Sequence, residues 1–380
     1  MSKDQLKNLD WSPLAQLFRQ AFQEHEPILF IINDPERPTR SDLVFQAIFE
    51  TLSHPYPSLH LLIATGSHVF KEKERQDFEA RRLGLFQKRF ESTSWQTLQD
   101  DFVSLGDGIE INKKVLSFPY WVLIGSLEPH YFSGITGAHK TLAIGCTSLE
   151  ALRGNHELAL HPDARPLKLQ GNPVFEDQIR RYHRVCQNAQ QVLAIQLLQE
   201  QDQIIECAFG EAISTLYQLF PRAEKQFTRF VEAPISLLLL TVDGPLGSSV
   251  YQAEKAIKNN EWVVADQGHI VLSAPCPKGI GSERFLRLLR QHTSYQEAST
   301  SIGPYQLGDH KALKLLYLTD PIHRGVKLSL HSSGVTSEQA DTVRMRKISD
   351  EEWSQFLKHP QAYLLEHADQ YLLKFSQDRI

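Results

Sequence analysis

Apolar and polar positions along the chain repeat in a strand–loop–helix rhythm. Pro27 precedes Ile28-Leu29-Phe30-Ile31-Ile32, an unbroken apolar run of the kind that forms a parallel strand covered on both faces. Asn33 to Pro38 reads as a turn. Thr39, with Asp42 three residues on, reads as a cap opening a helix whose apolar face is Leu43, Phe45, Ile48 and Leu52. His54-Pro55-Tyr56-Pro57 ends that helix. A second strand, Leu59 to Ala64, runs into Thr65-Gly66-Ser67-His68, and a charged helix starts near Lys71. A further strand, Tyr120 to Ile124, leads into a turn-rich segment.

Residues 159 to 174 carry Pro162, Pro166, Gly171 and Pro173, which predicts an ordered surface connection before a helix from Phe175. The alternation then resumes. Strand Ile235 to Val242 is followed by the loop Asp243 to Gly247 and a helix through Tyr251, Gln252, Lys255 and Ile257. After it come strand Gly268 to Ala274, helix Ser282 to Arg290 and strand Leu313 to Leu318. The expected fold is α/β in two domains, with a doubly wound parallel sheet in residues 1–231 and a smaller α/β domain in residues 232–361. A C-terminal helix within 362–380 is expected to pack back on the first domain, and the active site to lie in the cleft between domains. In such sheets ligands gather at the carboxyl ends of strands, where Asn33-Asp34, Ser67-His68 and Pro129-His130 fall.

Composition narrows the function classes. A chain of 380 residues with 41% hydrophobic and 22% charged residues fits a folded protein of two to three domains. Its net charge of −5 and pI near 6.4 give no support for a nucleic-acid partner. The longest apolar run, Ile235 to Val242, is too short to span a bilayer, so no membrane partner is expected. Met1 to Asp10 is polar and mixed in charge, unlike a signal peptide. Cys146, Cys186, Cys207 and Cys276 lie far apart without a CxxC pair, which points to reduced thiols and a cytoplasmic location.

Several residues could carry chemistry. Arg37 offers a planar fork suited to a carboxylate or phosphate, and Asp34 could hold Arg37 or fix a hydroxyl. His68 follows a tight Gly66 turn and could exchange protons near neutrality. His130, His139, Lys140 and His156 admit a histidine metal site, a Schiff-base lysine, or a lysine anchoring a cofactor whose metal a histidine ligates. Gln252 and Lys255 share one helix face with Tyr251 beside them and could meet an anion. Gly279-Ile280-Gly281-Ser282 could meet an anion at a helix start or be a plain turn.

In their order and spacing these motifs resemble the nickel-dependent lactate racemase family, over roughly residues 25 to 320. The matching elements are Asp34/Arg37/Pro38, Ala64-Thr65-Gly66-Ser67-His68 and Glu128-Pro129-His130, then Lys140 ten residues on and His156 sixteen further. Tyr251-Gln252-Ala253-Glu254-Lys255 follows. Gln170-Gly171-Asn172-Pro173 with Glu176-Asp177, Gly279 to Ser282 and Gly308-Asp309-His310-Lys311-Ala312 look like the family too. The resemblance implies a nickel-pincer nucleotide, a Ni(II) pyridinium-3,5-bisthiocarboxylate mononucleotide tethered to Lys140, with His156 as the fourth nickel ligand. Asp34 and Arg37 would lie against cofactor and substrate, and Tyr251, Gln252 and Lys255 against the substrate. His68 and His130 would be the two acid–base groups of a 2-hydroxy acid racemase or epimerase. Hydride would leave and return through a 2-keto acid, and separate maturation enzymes would supply the cofactor. The alternatives are other hydroxy-acid redox chemistry with one histidine retired, or a non-catalytic nucleotide- or organic-anion-binding protein.

The chain departs from the family pattern in places. Gly137-Ala138-His139 stands for Gly-Gly-x before the tether, Ile144-Gly145 for Pro-Gly, Val69 for an arginine, and Gly247 for an acidic residue. These changes surround the implied catalytic set, so a substrate other than lactate is expected, such as a larger hydroxy acid of the sugar-acid kind. The first motif also lies close to the start of the chain, so a short N-terminal element is expected.

Overall fold

The computed structural model describes residues 9–22, 26–51, 58–200 and 202–378. The chain divides into one unit of Met1–Glu128, Ile135–Asn155 and Leu169–Lys225, and a second of Pro129–Gly134, His156–Lys168 and Gln226–Ile380.

The first unit starts with α1 (Ser12–Ala21), then alternates β1 (Ile28–Asn33), α2 (Ser41–Thr51), β2 (Leu59–Ala64), α3 (Glu72–Arg82), β3 (Ser92–Trp95) and β4 (Tyr120–Leu127). There follow α4 (Ala138–Ala143), α5 (Leu149–Glu157), α6 (Pro173–Cys186), β5 (Gln191–Glu200) and β6 (Gln203–Gly210). The sheet runs β3-β2-β1-β4-β5-β6, parallel except for the last pair. The chain winds outward from β1 to β3 and then returns to β4 on the other side of β1. The crevice at the carboxyl ends of β1 and β4 is therefore the topological switch point. The unbroken apolar run in β1 has a physical reason: Ile28, Phe30 and Ile32 pack into one cluster and Leu29 and Ile31 into another, so both faces are dry. Each such side chain contributes about 1.5–3 kcal/mol on burial. Gly125 in β4 lets α4 lie directly on the strand, since a Cβ there would come within 2.5 Å of Ala138 N.

The second unit holds β7 (Ile235–Thr241), α7 (Val250–Asn260), β8 (Val264–Ser273), α8 (Asp309–Thr319), β9 (Lys327–His331), β10 (Arg346–Ile348) and β11 (Ala362–Leu365). Its sheet, β10-β9-β8-β7-β11, is parallel throughout. No described helix is long and apolar enough to cross a membrane.

The structure corrects several expectations. The described residues 362–378 do not form the expected C-terminal helix. Ala362–Leu365 joins β7, and Leu372–Phe375 pairs with Thr228–Val231, all within the second unit. Leu313 to Leu318 is not a strand but part of α8. That helix is buried almost all round, so its leucines show no helical period. Thr39 does not cap α2, because its hydroxyl bonds Ser126 Oγ at 2.7 Å and takes a hydrogen bond from Asn33 at 3.0 Å. Leu52 and the His54 to Pro57 breaker lie outside the described residues. The second unit begins at Gln226 rather than 232 and also takes in His130 and His156, which were expected on the first domain. Their segments are tied there by Leu167 N–H to Gly134 O at 2.9 Å and by Lys314 Nζ to Ala164 O at 3.2 Å.

Candidate active site

Three loops at the carboxyl ends of β1, β2 and β4 bring charged groups to the switch point of the first unit. Asp34 is buried directly after β1, where its Oδ1 accepts the Glu36 N–H at 2.9 Å and so braces the turn. Its Oδ2 lies 2.8 Å from Nδ1 of His68. His68 ends the turn after β2, which Gly66 permits by adopting φ +56°. A carboxylate only accepts, so Nδ1 of a neutral His68 carries the proton and Nε2 keeps its lone pair. The ring is a third exposed while its partner is covered. This is the arrangement of an oriented proton acceptor.

Arg37 is not held by Asp34. Its Nη1 faces Glu128 Oε2 at 3.4 Å, across the switch point. Glu128 is fixed in turn by Ser126 Oγ at 2.6 Å and by its own N–H to Thr136 Oγ1 at 3.0 Å. The residue before Pro129-His130 thus has a role that the sequence reading left unassigned. Its acidic character and its place at the end of the neighbouring strand were the available signal. The 3.4 Å contact is loose enough for Arg37 to turn its fork toward an anion.

Lys140 is half-buried on α4, whose first N–H, from Ala138, goes to Gln196 Oε1 at 2.9 Å. Next to it His139 is fully buried against Phe175. Among the described residues neither of its ring nitrogens has a hydrogen-bond partner, and burial pushes its pKa down to about 3. His139 is a neutral core residue, which removes it from the metal-site reading.

In the second unit His130 is buried and its Nδ1 accepts the Ser133 N–H at 3.2 Å. The ring stacks on Tyr131, with centroids 5.2 Å apart, and meets Phe132 edge-on at 4.5 Å. His156, near the end of α5, meets the same Phe132 at 5.0 Å. His310 lies 6.1 Å from His156. Phe132 and His310 are thus neighbours of these histidines to which the sequence reading gave no role, although His310 lies in one of the matching motifs. On α7 the Lys255 ammonium bonds Gln252 Oε1, and burial pushes the Tyr251 phenol up to about 12. At the Gly279 turn, Gly279 O and Ile280 O take the N–H groups of Val250 and Tyr251 at the start of α7. Gly247 also leaves little room for the acidic residue of the family pattern, since a Cβ would sit 2.9 Å from Val242 O.

Among the described residues no three His, Cys, Asp or Glu side chains form a group that could hold a metal ion.

Residues 9–166 match the lactate racemase N-terminal domain model and residues 233–307 the lactate racemase C-terminal domain model. A lactate racemase of Thermoanaerobacterium thermosaccharolyticum is 25% identical over 287 residues, covering 72% of this chain and 66% of that protein. One of Lactiplantibacillus plantarum is 23% identical over 269 residues, covering 68% and 62%. The chain therefore matches a little under two thirds of the length of each relative. The lactate racemase apoprotein of T. thermosaccharolyticum superposes with a TM-score of 0.77 at 19% identity, covering 98% of this chain and 91% of that one. A Thermotoga maritima protein does so at 0.76 and 15%, covering 96% and 97%. With both domain models matched in order, the chain belongs to the lactate racemase family.

Proposed function

We propose that this protein is a cytoplasmic racemase or epimerase of a 2-hydroxy acid, dependent on a nickel-pincer nucleotide that maturation enzymes supply. The observation that carries the reading is the Asp34–His68 pair at the switch point, with Arg37 beside it on a loose partner. Lys140 would tether the nucleotide and His156 would ligate its nickel. Bound there, the group supplies a reversible hydride acceptor, so the α-carbon is oxidised and re-reduced instead of being deprotonated next to a carboxylate.

The chain's own residues account for the rest. His68 accepts the substrate hydroxyl proton at Nε2, while Asp34 supports the charge the ring gains. His130 serves the other enantiomer, whose hydroxyl points elsewhere. Arg37, Gln252 and Lys255 hold the carboxylate while the carbonyl turns over, and Tyr251 lines the substrate. Altered surroundings at Val69, Ala138 and Gly247 favour a hydroxy acid larger than lactate.

The test uses protein co-expressed with the cofactor pathway. Intact mass should show an adduct on Lys140, and a panel of hydroxy acids followed by chiral chromatography should reveal interconversion. Lys140→Ala should lose both. Full activity without that lysine, or protein that takes up no nickel, rules the reading out; the latter favours an anion-binding protein. A second reading has one observation behind it. The Ser133 N–H on Nδ1 leaves the Nε2 of a neutral His130 protonated, which suits a hydrogen-bond donor and one-base redox chemistry.

A further inference from the structure

Gly308-Asp309-His310-Lys311-Ala312 opens α8 and has no part in the reaction above, yet its polar side chains are buried. Gly308 is left-handed at φ +101°, and a Cβ there would come within 2.7 Å of Phe285 N. Asp309 takes the Gln306 N–H at 2.8 Å and Arg287 Nη2 at 2.7 Å, which locks the turn. His310 and Lys311 are left facing two other segments. His310 bonds the Tyr131 hydroxyl through Nε2 at 2.9 Å and the Tyr305 hydroxyl through Nδ1 at 2.7 Å. Lys311 donates to Tyr251 O at 2.9 Å and to Glu254 at 2.6 Å. Its ammonium also lies 5.1 Å from the ring of Tyr131 and 4.5 Å from that of Tyr251.

Both groups are committed by these bonds. A neutral imidazole has one donor and one acceptor, so one phenol gives His310 a hydrogen bond and the other receives one. No ring nitrogen remains to exchange a proton with substrate. What the ring fixes is Tyr131, on which His130 stacks, while Lys311 fixes the first turn of α7, which carries Gln252 and Lys255.

We propose that His310 and Lys311 are positioning residues that tie the His130 turn and the start of α7 to one helix, setting His130 against Gln252 and Lys255. The functional weight of this rests on the reading that those groups act on a hydroxy acid.

Tyr131→Phe removes one hydrogen bond at nearly constant volume. Lys311→Met with Glu254→Gln removes the buried ion pair without stranding a charge. In the full apo chain labelled with 15N-histidine, Tyr131→Phe should shift the His130 ring signals and leave those of His68 in place. Its melting temperature should stay within about 4 °C of the parent. In cofactor-loaded protein with lactate as probe, Tyr131→Phe should lower kcat about tenfold with KM within about twofold. The double variant should raise KM about tenfold. His310→Gln, which keeps a donor and an acceptor, should retain more rate than His310→Leu. Unmoved His130 signals in Tyr131→Phe, with unchanged kcat and KM per folded molecule in both variants, overturn the proposal. Failure of the parent to racemise lactate or any other hydroxy acid counts against the proposed reaction, while the ring signals still decide the positioning.

Discussion

His68 and His130 share a residue type and a proposed duty, but their surroundings are opposite in polarity. His68, in the first unit, is backed by the Asp34 carboxylate, which accepts the Nδ1 proton. His130, in the second, is backed by the Ser133 amide, which donates to Nδ1. The first ring is thereby set to take a proton at Nε2 and the second to give a hydrogen bond from it. A racemase needs each ring to accept in one direction and donate in the other. In the proposed cycle His68 would start as the acceptor and His130 as the donor. The backing group, more than the histidine, decides which.

The largest effects probe that difference directly. His68→Ala and His130→Ala should each lower kcat about 10³-fold, in either direction of interconversion followed by chiral chromatography. Equal losses make the two rings partners in one cycle. A loss of tenfold or less at His130 breaks the symmetry and favours one-base chemistry. Asp34→Asn comes next: it keeps the shape of the turn but lets Nδ1 face an amide donor. We expect kcat to fall about 100-fold with KM within about threefold. An unchanged kcat would make Asp34 a turn brace only. Arg37→Lys is smaller, raising KM about tenfold through loss of the planar fork, and KM determination on the preferred hydroxy acid checks it. A KM that does not move leaves Arg37 as the ion-pair partner of Glu128 alone.

How much of this could be read in advance follows from the range of each interaction. β1, β2 and β4 are mostly apolar runs followed within two residues by aspartate, glycine or proline, and both signals are local, so strands and turns were legible. Asp34 and His68, 34 residues apart, were each picked out by their turns, but not as a pair. For Arg37 the sequence offers Asp34 as one possible partner, because it is near in the chain, and only the sheet order brings Glu128, 91 residues away, to it. α8 and the strand β11 were exchanged in kind for a related reason. A helix buried almost all round loses its period, and the four-residue strand β11 is too short to show one. His310 was legible as part of a motif but not as a clamp, since its two tyrosines come from different segments.

His139 completes the comparison, because it is a histidine with no backing group among the described residues. Its two ring nitrogens are buried without partners there, so the folded chain bears an uncompensated desolvation cost. His139→Leu should therefore stabilise the protein by about 1–2 kcal/mol at pH 7.5 while leaving turnover unchanged. The gain must also grow with acidity. The ordinary histidine pKa of 6.5 applies to the unfolded chain, whereas the folded ring resists a proton down to about pH 3. Between those values the unfolded state binds more protons, so stability falls as pH falls. From pH 7.5 to pH 5 this one residue removes about 2 kcal/mol. Urea titrations of parent and His139→Leu at both pH values should diverge by that amount. Parallel curves would mean that His139 finds a partner in solution, and the contrast would then reduce to the carboxylate behind His68 and the amide behind His130.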